Sequence, residues 1–245
     1  MAVQGQPVRS AAPDLDGGQP PVERVCSLPL HASSLHDLAG PVNQVSTMLE
    51  LFQKKYHDTL DIDGQAILEL IQTSASRLQT LWRGIETYAG TAGSSGDYRR
   101  CDSGEILAAA SARLEPAIRE TNTCITCGRL PVVTCDPGQM ALVFTGLIDN
   151  SIKFRTDAPP EIQVSAEWSG DQWRFSFRDN GIGIAPKDAV QVFHLFKRLN
   201  GDRYRGAGVG LAIARHVVEQ HGGRIWLDTK PGCGAQFFLT LPAAE

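Results

Sequence analysis

Residues 206–211, Gly206-Ala207-Gly208-Val209-Gly210-Leu211, decide how this chain is read. Alternating glycines that run into an apolar-periodic segment describe a loop opening a helix. The unpaired N–H groups of a first helical turn, with the positive end of the helix dipole, make such a junction an anion site that suits a nucleotide phosphate. By itself the string also describes a flexible capped loop. Its continuation, Leu211-Ala212-Ile213-Ala214-Arg215-His216-Val217-Val218-Glu219-Gln220-His221, is amphipathic at helical period and stops at Gly222-Gly223.

Two more segments belong with it. Trp173-Arg174-Phe175-Ser176-Phe177-Arg178-Asp179 alternates as a half-buried strand, which turns Asp179 to the same inner face as Phe175 and Phe177. A buried carboxylate needs a hydrogen-bond donor. The exocyclic amine of a purine serves if the strand end opens into a pocket; otherwise Asn180-Gly181 is a turn whose backbone N–H groups meet Asp179. The second segment is a helix from Pro137 to Phe154 that Asp136 can cap. Asn150 and Lys153 share one face of it, where an amide oxygen can meet a magnesium ion and an ammonium can meet phosphate. Such a pair, alone, also describes a solvated face.

In this order the three elements resemble the ATP-binding fold of the GHKL superfamily, shared by histidine kinases, gyrase-type ATPases and related chaperones. The likeness runs from about Cys101 to Pro242. It implies that Asn150 ligates magnesium, Lys153 contacts phosphate, Asp179 reads adenine, and Gly181 and Gly183 shape the pocket. Gly206, Gly208 and Gly210, with Leu211 behind them, would form the phosphate grip of a lid. Val192-Phe193-His194-Leu195-Phe196-Lys197-Arg198 resembles the superfamily's phenylalanine box. The same residues read as an amphipathic helical turn with Phe193 and Phe196 in the core.

The other end of the chain separates the branches of that superfamily. Leu38, Val42, Val45, Leu49, Phe52 and Tyr56 form a coiled-coil stripe, and Ile71, Ser74, Leu78, Leu81, Ile85 and Tyr88 form a second. A link from His57 to Gly64 makes the two helices antiparallel neighbours, a hairpin with too little core for one chain, so a dimeric four-helix bundle is expected. His36 falls roughly 160° from the centre of its stripe and His31 within about 20°, so His36 is expected in water and His31 in the seam. Pro41 inside the helical pattern costs about 3 kcal/mol and bends the helix beside His36, and Gly40 costs about 1 kcal/mol relative to Ala.

His36 to Pro41 resembles the phosphoacceptor box of HisKA-type sensor histidine kinases. More specifically, Tyr56-His57-Asp58-Thr59-Leu60-Asp61, Ile152-Lys153-Phe154-Arg155, Phe196-Lys197-Arg198-Leu199 and Glu219-Gln220-His221-Gly222-Gly223-Arg224-Ile225-Trp226 resemble the kinase module of bacterial phytochromes and similar kinases, a likeness over about residues 28–242. The resemblance implies ATP-dependent phosphorylation of His36, with Asp37 as the base, and transfer to an aspartate of a response-regulator receiver domain met by Asn43 and Gln44. It implies an α+β chain: a helical-hairpin dimerisation domain, then an α/β sandwich GHKL domain with helices on one face of a mixed sheet.

This chain departs from the pattern at three places. Gly146 stands where histidine kinases usually carry a further Asn and gyrase-like relatives a catalytic Glu, which argues against a hydrolase and for slow autophosphorylation. Gly40 stands where members with phosphatase activity usually have Thr or Asn, and Ala207 where many lids have Thr. Two other readings follow: a degenerate kinase serving as a dimeric scaffold or phosphotransfer relay with weak or no ATP use, and a GHKL kinase acting on a serine of a partner.

Of 245 residues, 42% are hydrophobic and 20% charged, with a net charge of -4, which offers no electrostatic case for nucleic acid or a membrane surface. No apolar run reaches about 18 residues and no signal-peptide pattern opens the chain, so a soluble cytoplasmic protein is expected. Cys124, Cys127 and Cys135 have some zinc-like spacing but lack a fourth ligand, so packed or free thiols are expected. Residues 1–25 read as a disordered lead, 26–90 as the dimerisation and histidine phosphotransfer hairpin, 91–97 as a flexible linker and 98–245 as the ATP-binding domain. The resemblance also implies input from an upstream sensor domain or a separate sensor protein.

Overall fold

A computed structural model describes residues 32–92, 96–199, 204 and 206–244, with only the backbone at 32–38 and 92. The expected disordered lead, the packing of His31 and the side-chain settings of His36 and Asp37 lie outside the described residues.

Helix α1 (Ala32–Tyr56) carries Pro41 in its interior, and α2 (Ile62–Ala92) returns beside it after a single 3-10 turn at His57–Thr59. Asp61 closes the turn by accepting from the Gly64 N–H at 2.8 Å, and Gln53 and Gln72 join the helices by a side-chain bond of 2.7 Å. The buried positions of the lower part of α2 are Leu68, Ala75 and Trp82, seven residues apart and hence on one face. The expected stripes are largely open in this single chain: Val45, Phe52, Tyr56, Ile71 and Leu78 are all exposed. The seam within the hairpin therefore uses a different face from the expected stripe. Helix α2 also runs to Ala92, two residues into the segment expected to be linker, and Thr91 is buried with its hydroxyl donated to the Tyr88 carbonyl at 2.7 Å.

Strand β1 (Arg99–Asp102) leads into α3 (Ser103–Arg113), capped by the Asp102 carboxylate on the Gly104 N–H. A break at Leu114 ends this helix. Pro116 cannot continue the hydrogen-bond ladder of α3, so α4 (Glu115–Thr121) starts afresh with the proline in its first turn. Strands β2 (Cys124–Cys127) and β3 (Val132–Cys135) follow, then α5 (Pro137–Lys153), whose expected cap holds: Asp136 accepts from the Gln139 N–H. The hairpin β4 (Glu161–Ser169) and β5 (Gln172–Asp179), helix α6 (Gly210–Gln220) and the hairpin β6 (Ile225–Thr229) and β7 (Ala235–Pro242) complete the order.

The main sheet runs β2-β4-β5-β7-β6, with β2 parallel to β4 and the other pairs antiparallel, while β1 and β3 form a separate antiparallel pair. Alternation along β5 and β7 sends Phe175, Phe177, Phe237, Leu239 and Leu241 to one face, where they meet Met140, Phe144, Leu147 and Ile148 of α5 and Val217 and Val218 of α6. Phe144 is fully buried, its ring 5.0 Å from Phe177 and 6.0 Å from Phe175. Cys135 is buried beside Cys101, and burial together with that neighbour pushes its thiol up to about 12. Cys124 and Cys127 are exposed free thiols.

His221 fixes how α6 sits. Its Nδ1 bonds the Val217 carbonyl at 2.8 Å and its Nε2 accepts the Asp136 N–H at 3.0 Å, so the ring is neutral and pins the end of α6 to the start of α5. Burial lowers its pKa below the usual 6.5 against the pull of the Val217 carbonyl and Asp136. The Tyr98 ring packs on it at 4.7 Å, and the Asp97 N–H donates to Asp136 Oδ2, so the incoming chain is tied to the same knot.

Candidate nucleotide site

The end of α5, the end of β5 with the loop behind it, and the glycine loop before α6 converge on one cavity of about 520 Å3, a size usual for small-molecule sites. Asn150, Lys153, Asp179, Gly183, Gly206, Gly208, Gly210 and Leu211 all line it. Residues read from three separate segments are thus neighbours in space. His36 and Asp37 lie in the second turn of α1, and their side chains are outside the described residues.

Asp179 makes the expected turn contacts at the border of the cavity. Its Oδ1 accepts the N–H groups of Gly181 and Ala235, each at 2.9 Å, which is the turn reading; its Oδ2 meets the Ser151 hydroxyl at 3.1 Å, and the residue still borders the cavity. The backbone bonds aim the carboxylate and leave acceptor capacity on Oδ2. Asn180 turns away and bonds the Glu161 N–H and the Pro159 carbonyl, so it holds the chain rather than a ligand.

Gly181 does not border the cavity; it sits behind Asp179, where a Cβ would stand 2.6 Å from the Phe154 carbonyl. Gly183 does border it, at φ 70°, and a Cβ on it would run into the Lys230 carbonyl oxygen, so an L side chain there meets both strain and overlap. The Ile182 N–H donates to the Phe154 carbonyl at 2.9 Å, which couples the pocket floor to the last turn of α5.

Lys153 is ion-paired with Asp149 one turn back, at the edge of the cavity. The Asn150 side-chain nitrogen is buried without a partner among the described residues. On the lid side, Gly208 at φ 69° lies against Phe196 and Lys197, and its carbonyl accepts the Phe196 N–H at 2.9 Å. This corrects the core expectation for Phe196: it is 47% exposed at φ 63°, whereas Phe193 is buried edge-on to Phe237. The segment serves as a backbone clasp for the lid. Arg198 donates to the Tyr204 carbonyl at 2.7 Å, and the Tyr204 ring packs 4.8 Å from that of Phe154.

Sequence reading missed two contributors. Ser151 gave no signal because a helical serine is unremarkable without its partner across the sheet. Thr80, Arg83, Gly84 and Thr87 of α2 also line the cavity, although they lie more than sixty residues before Asn150.

Residues 135–245 match the family described as histidine kinase-, DNA gyrase B-, and HSP90-like ATPase. The chain is 38% identical over 208 residues to phytochrome-like protein Cph1 of Synechocystis sp., covering 84% of this chain and 28% of that protein. It is 31% identical over 212 residues to the methanogenesis regulatory histidine kinase FilI of Methanothrix harundinacea, covering 84% and 24%. It thus spans about a quarter of the length of these relatives. Among solved structures, full-length ShkA in complex with AMPPNP matches with a TM-score of 0.66 over 87% of this chain and 45% of that one, at 23% identity, a likeness of fold. Because the ATPase family covers the site and the histidine kinase relatives extend back into the hairpin, the chain belongs to the sensor histidine kinases of the GHKL superfamily.

Proposed function

We propose that this chain is a two-component histidine kinase core that binds ATP in the cavity, phosphorylates His36 and passes the phosphoryl group to an aspartate of a response-regulator receiver domain. The observation that carries the reading is the meeting of Asn150, Lys153, Asp179 and the glycine lid around one cavity, in a chain whose similarity to histidine kinases includes part of the hairpin.

Asp179, held as an acceptor by two backbone N–H groups, selects a purine that offers an amine. Lys153 and the N–H groups at the start of α6 face the phosphates, where positioning and charge do most of the work of phosphoryl transfer. Asn150 fits the role of holding magnesium through its amide oxygen, and among the described residues no group of three or more His, Cys, Asp and Glu offers a rival cation site. When bound, that ion would screen phosphate charge. His36 supplies the nucleophilic ring nitrogen, with Asp37 taking or orienting the proton of the ring.

A second copy of the chain completes the hairpin. Leu51 is 62% and Leu70 68% exposed, and with Met48, Ile67, Ile71 and Leu78 they form more apolar surface than a lone helical pair leaves in water. No helix among the described residues is long and apolar enough to cross a membrane, and input would come from a sensor domain or a separate sensor protein.

Incubation with γ-labelled ATP and magnesium tests the reading. Acid-labile label on the parent chain, absent in His36→Gln, is expected. Acid-stable label, or label that survives His36→Gln, overturns it.

A further inference from the structure

We propose that α2 forms a wall of the nucleotide site and that Arg83 is a ligand for the phosphate chain of the bound nucleotide. The proposal rests on the ATP reading of the cavity and adds to it a residue from the hairpin.

Thr80, Arg83, Gly84 and Thr87 stand at i, i+3, i+4 and i+7, one face of α2, and all four line the cavity. Gly84 makes the approach possible. A Cβ on it would overlap the Val209 side chain and stand 3.1 Å from two of its other carbons. Val209 is buried, and it lies between Gly208 and Gly210 in the lid. One turn on, the Tyr88 ring packs 5.0 Å from that of His216 on α6, so the contact continues beyond a single residue.

The contact also locates the residues beside it. The purine end of the cavity is marked by Asp179 and Gly183, the phosphate end by Lys153 and the lid glycines. Gly84 touches the lid, so Arg83 stands at the phosphate end. Thr80 and Thr87 return their hydroxyls to the carbonyls of Ser76 and Arg83 within the helix. Arg83 is exposed, and its guanidinium has no hydrogen bond or ion pair among the described residues. Of the acids that line the cavity, Asp149 is already paired with Lys153 and Asp179 is held by backbone N–H groups. A guanidinium without an acid partner, opposite a loop rich in N–H donors, matches the forked geometry of a phosphate.

Calorimetric titration of the whole chain with ATP, ADP and adenosine, in magnesium, tests this. Arg83→Ala is expected to weaken ATP binding about ten-fold or more, the size of one lost charge-assisted contact, and to leave adenosine unchanged. Arg83→Lys should recover part of the loss. Gly84→Val, which pushes the lid off α2, should reproduce the phosphate-dependent loss while the melting temperature of the domain stays near that of the parent. ATP affinity unaltered in Arg83→Ala, or adenosine lost in parallel with ATP, overturns the proposal. A parent chain that binds no nucleotide overturns the ATP reading instead, so the two failures are distinct.

Discussion

Replacing Gly146 tests both the helix and the site built on it. Gly146 lies in the interior of α5, half-buried at the cavity edge, and a Cβ placed there would meet only the Gly210 carbonyl, at 3.5 Å, an ordinary contact. Glycine inside a helix costs roughly 0.5–1 kcal/mol relative to alanine. The added methyl, part-covered, contributes at most about 0.8 kcal/mol more. Gly146→Ala should therefore stabilise the protein by about 1 kcal/mol, a rise of about 2–4 °C in melting temperature for a chain of this size. Urea unfolding should show a higher midpoint with an unchanged slope. Gly146→Asn goes further, because its side chain leaves that Cβ toward the cavity that Asn150 and Lys153 line. One new hydrogen bond to a charged ligand, worth about 1.5–3 kcal/mol, should raise ATP affinity or the autophosphorylation rate about ten-fold or more over Gly146→Ala. A Gly146→Ala protein that melts below the parent refutes the placement of α5 against Gly210. A Gly146→Asn protein no better than Gly146→Ala refutes the idea that the missing side chain limits the site.

Three further outcomes are expected. His221 is held neutral by burial below its usual 6.5, so the unfolded chain binds its proton first as pH falls; stability is full above about 6.5 and declines below it, toward the lower native value. Thermal melts between about pH 7 and 5.5 should show a smaller loss in His221→Gln than in the parent, and equal losses would refute the assignment. The proposed pairing of two copies predicts that the parent scatters light as a dimer and that Leu70→Glu, which places a charge on an exposed apolar position of α2, scatters as a folded monomer; a monomeric parent, or a dimer that persists in the variant, counts against the second-copy reading. Phe144→Ala empties a fully buried aromatic site between Phe175 and Phe177 and should cost about 3–5 kcal/mol, read as a large fall in the urea midpoint.

Motif-bearing segments were legible where a local period carries the information. The α5 cap at Asp136, the inward face of Asp179 and the stop after α6 all follow from neighbours within a few residues. The breaks were less visible: α3 and α4 separate at a proline inside an otherwise continuous pattern, and Phe196 leaves the core because its backbone clasps Gly208. The stripes on α1 and α2 marked apolar surface correctly, yet which face closes within one chain depends on the register set by the turn and by Gln53 with Gln72.

The order of glycines, acids and apolar periods along the chain determined its class of fold and the residues that α5, β5 and the glycine loop bring to the cavity, because each depends on backbone conformation and on burial patterns repeating over two to four positions. Only the tertiary structure decided that Ser151 meets Asp179, that His221 ties α6 to α5, and that Gly84 lets α2 rest on Val209 with Arg83 beside the lid. These are contacts between side chains far apart in sequence. Their partners are chosen by how whole elements pack, and packing leaves no local period to read.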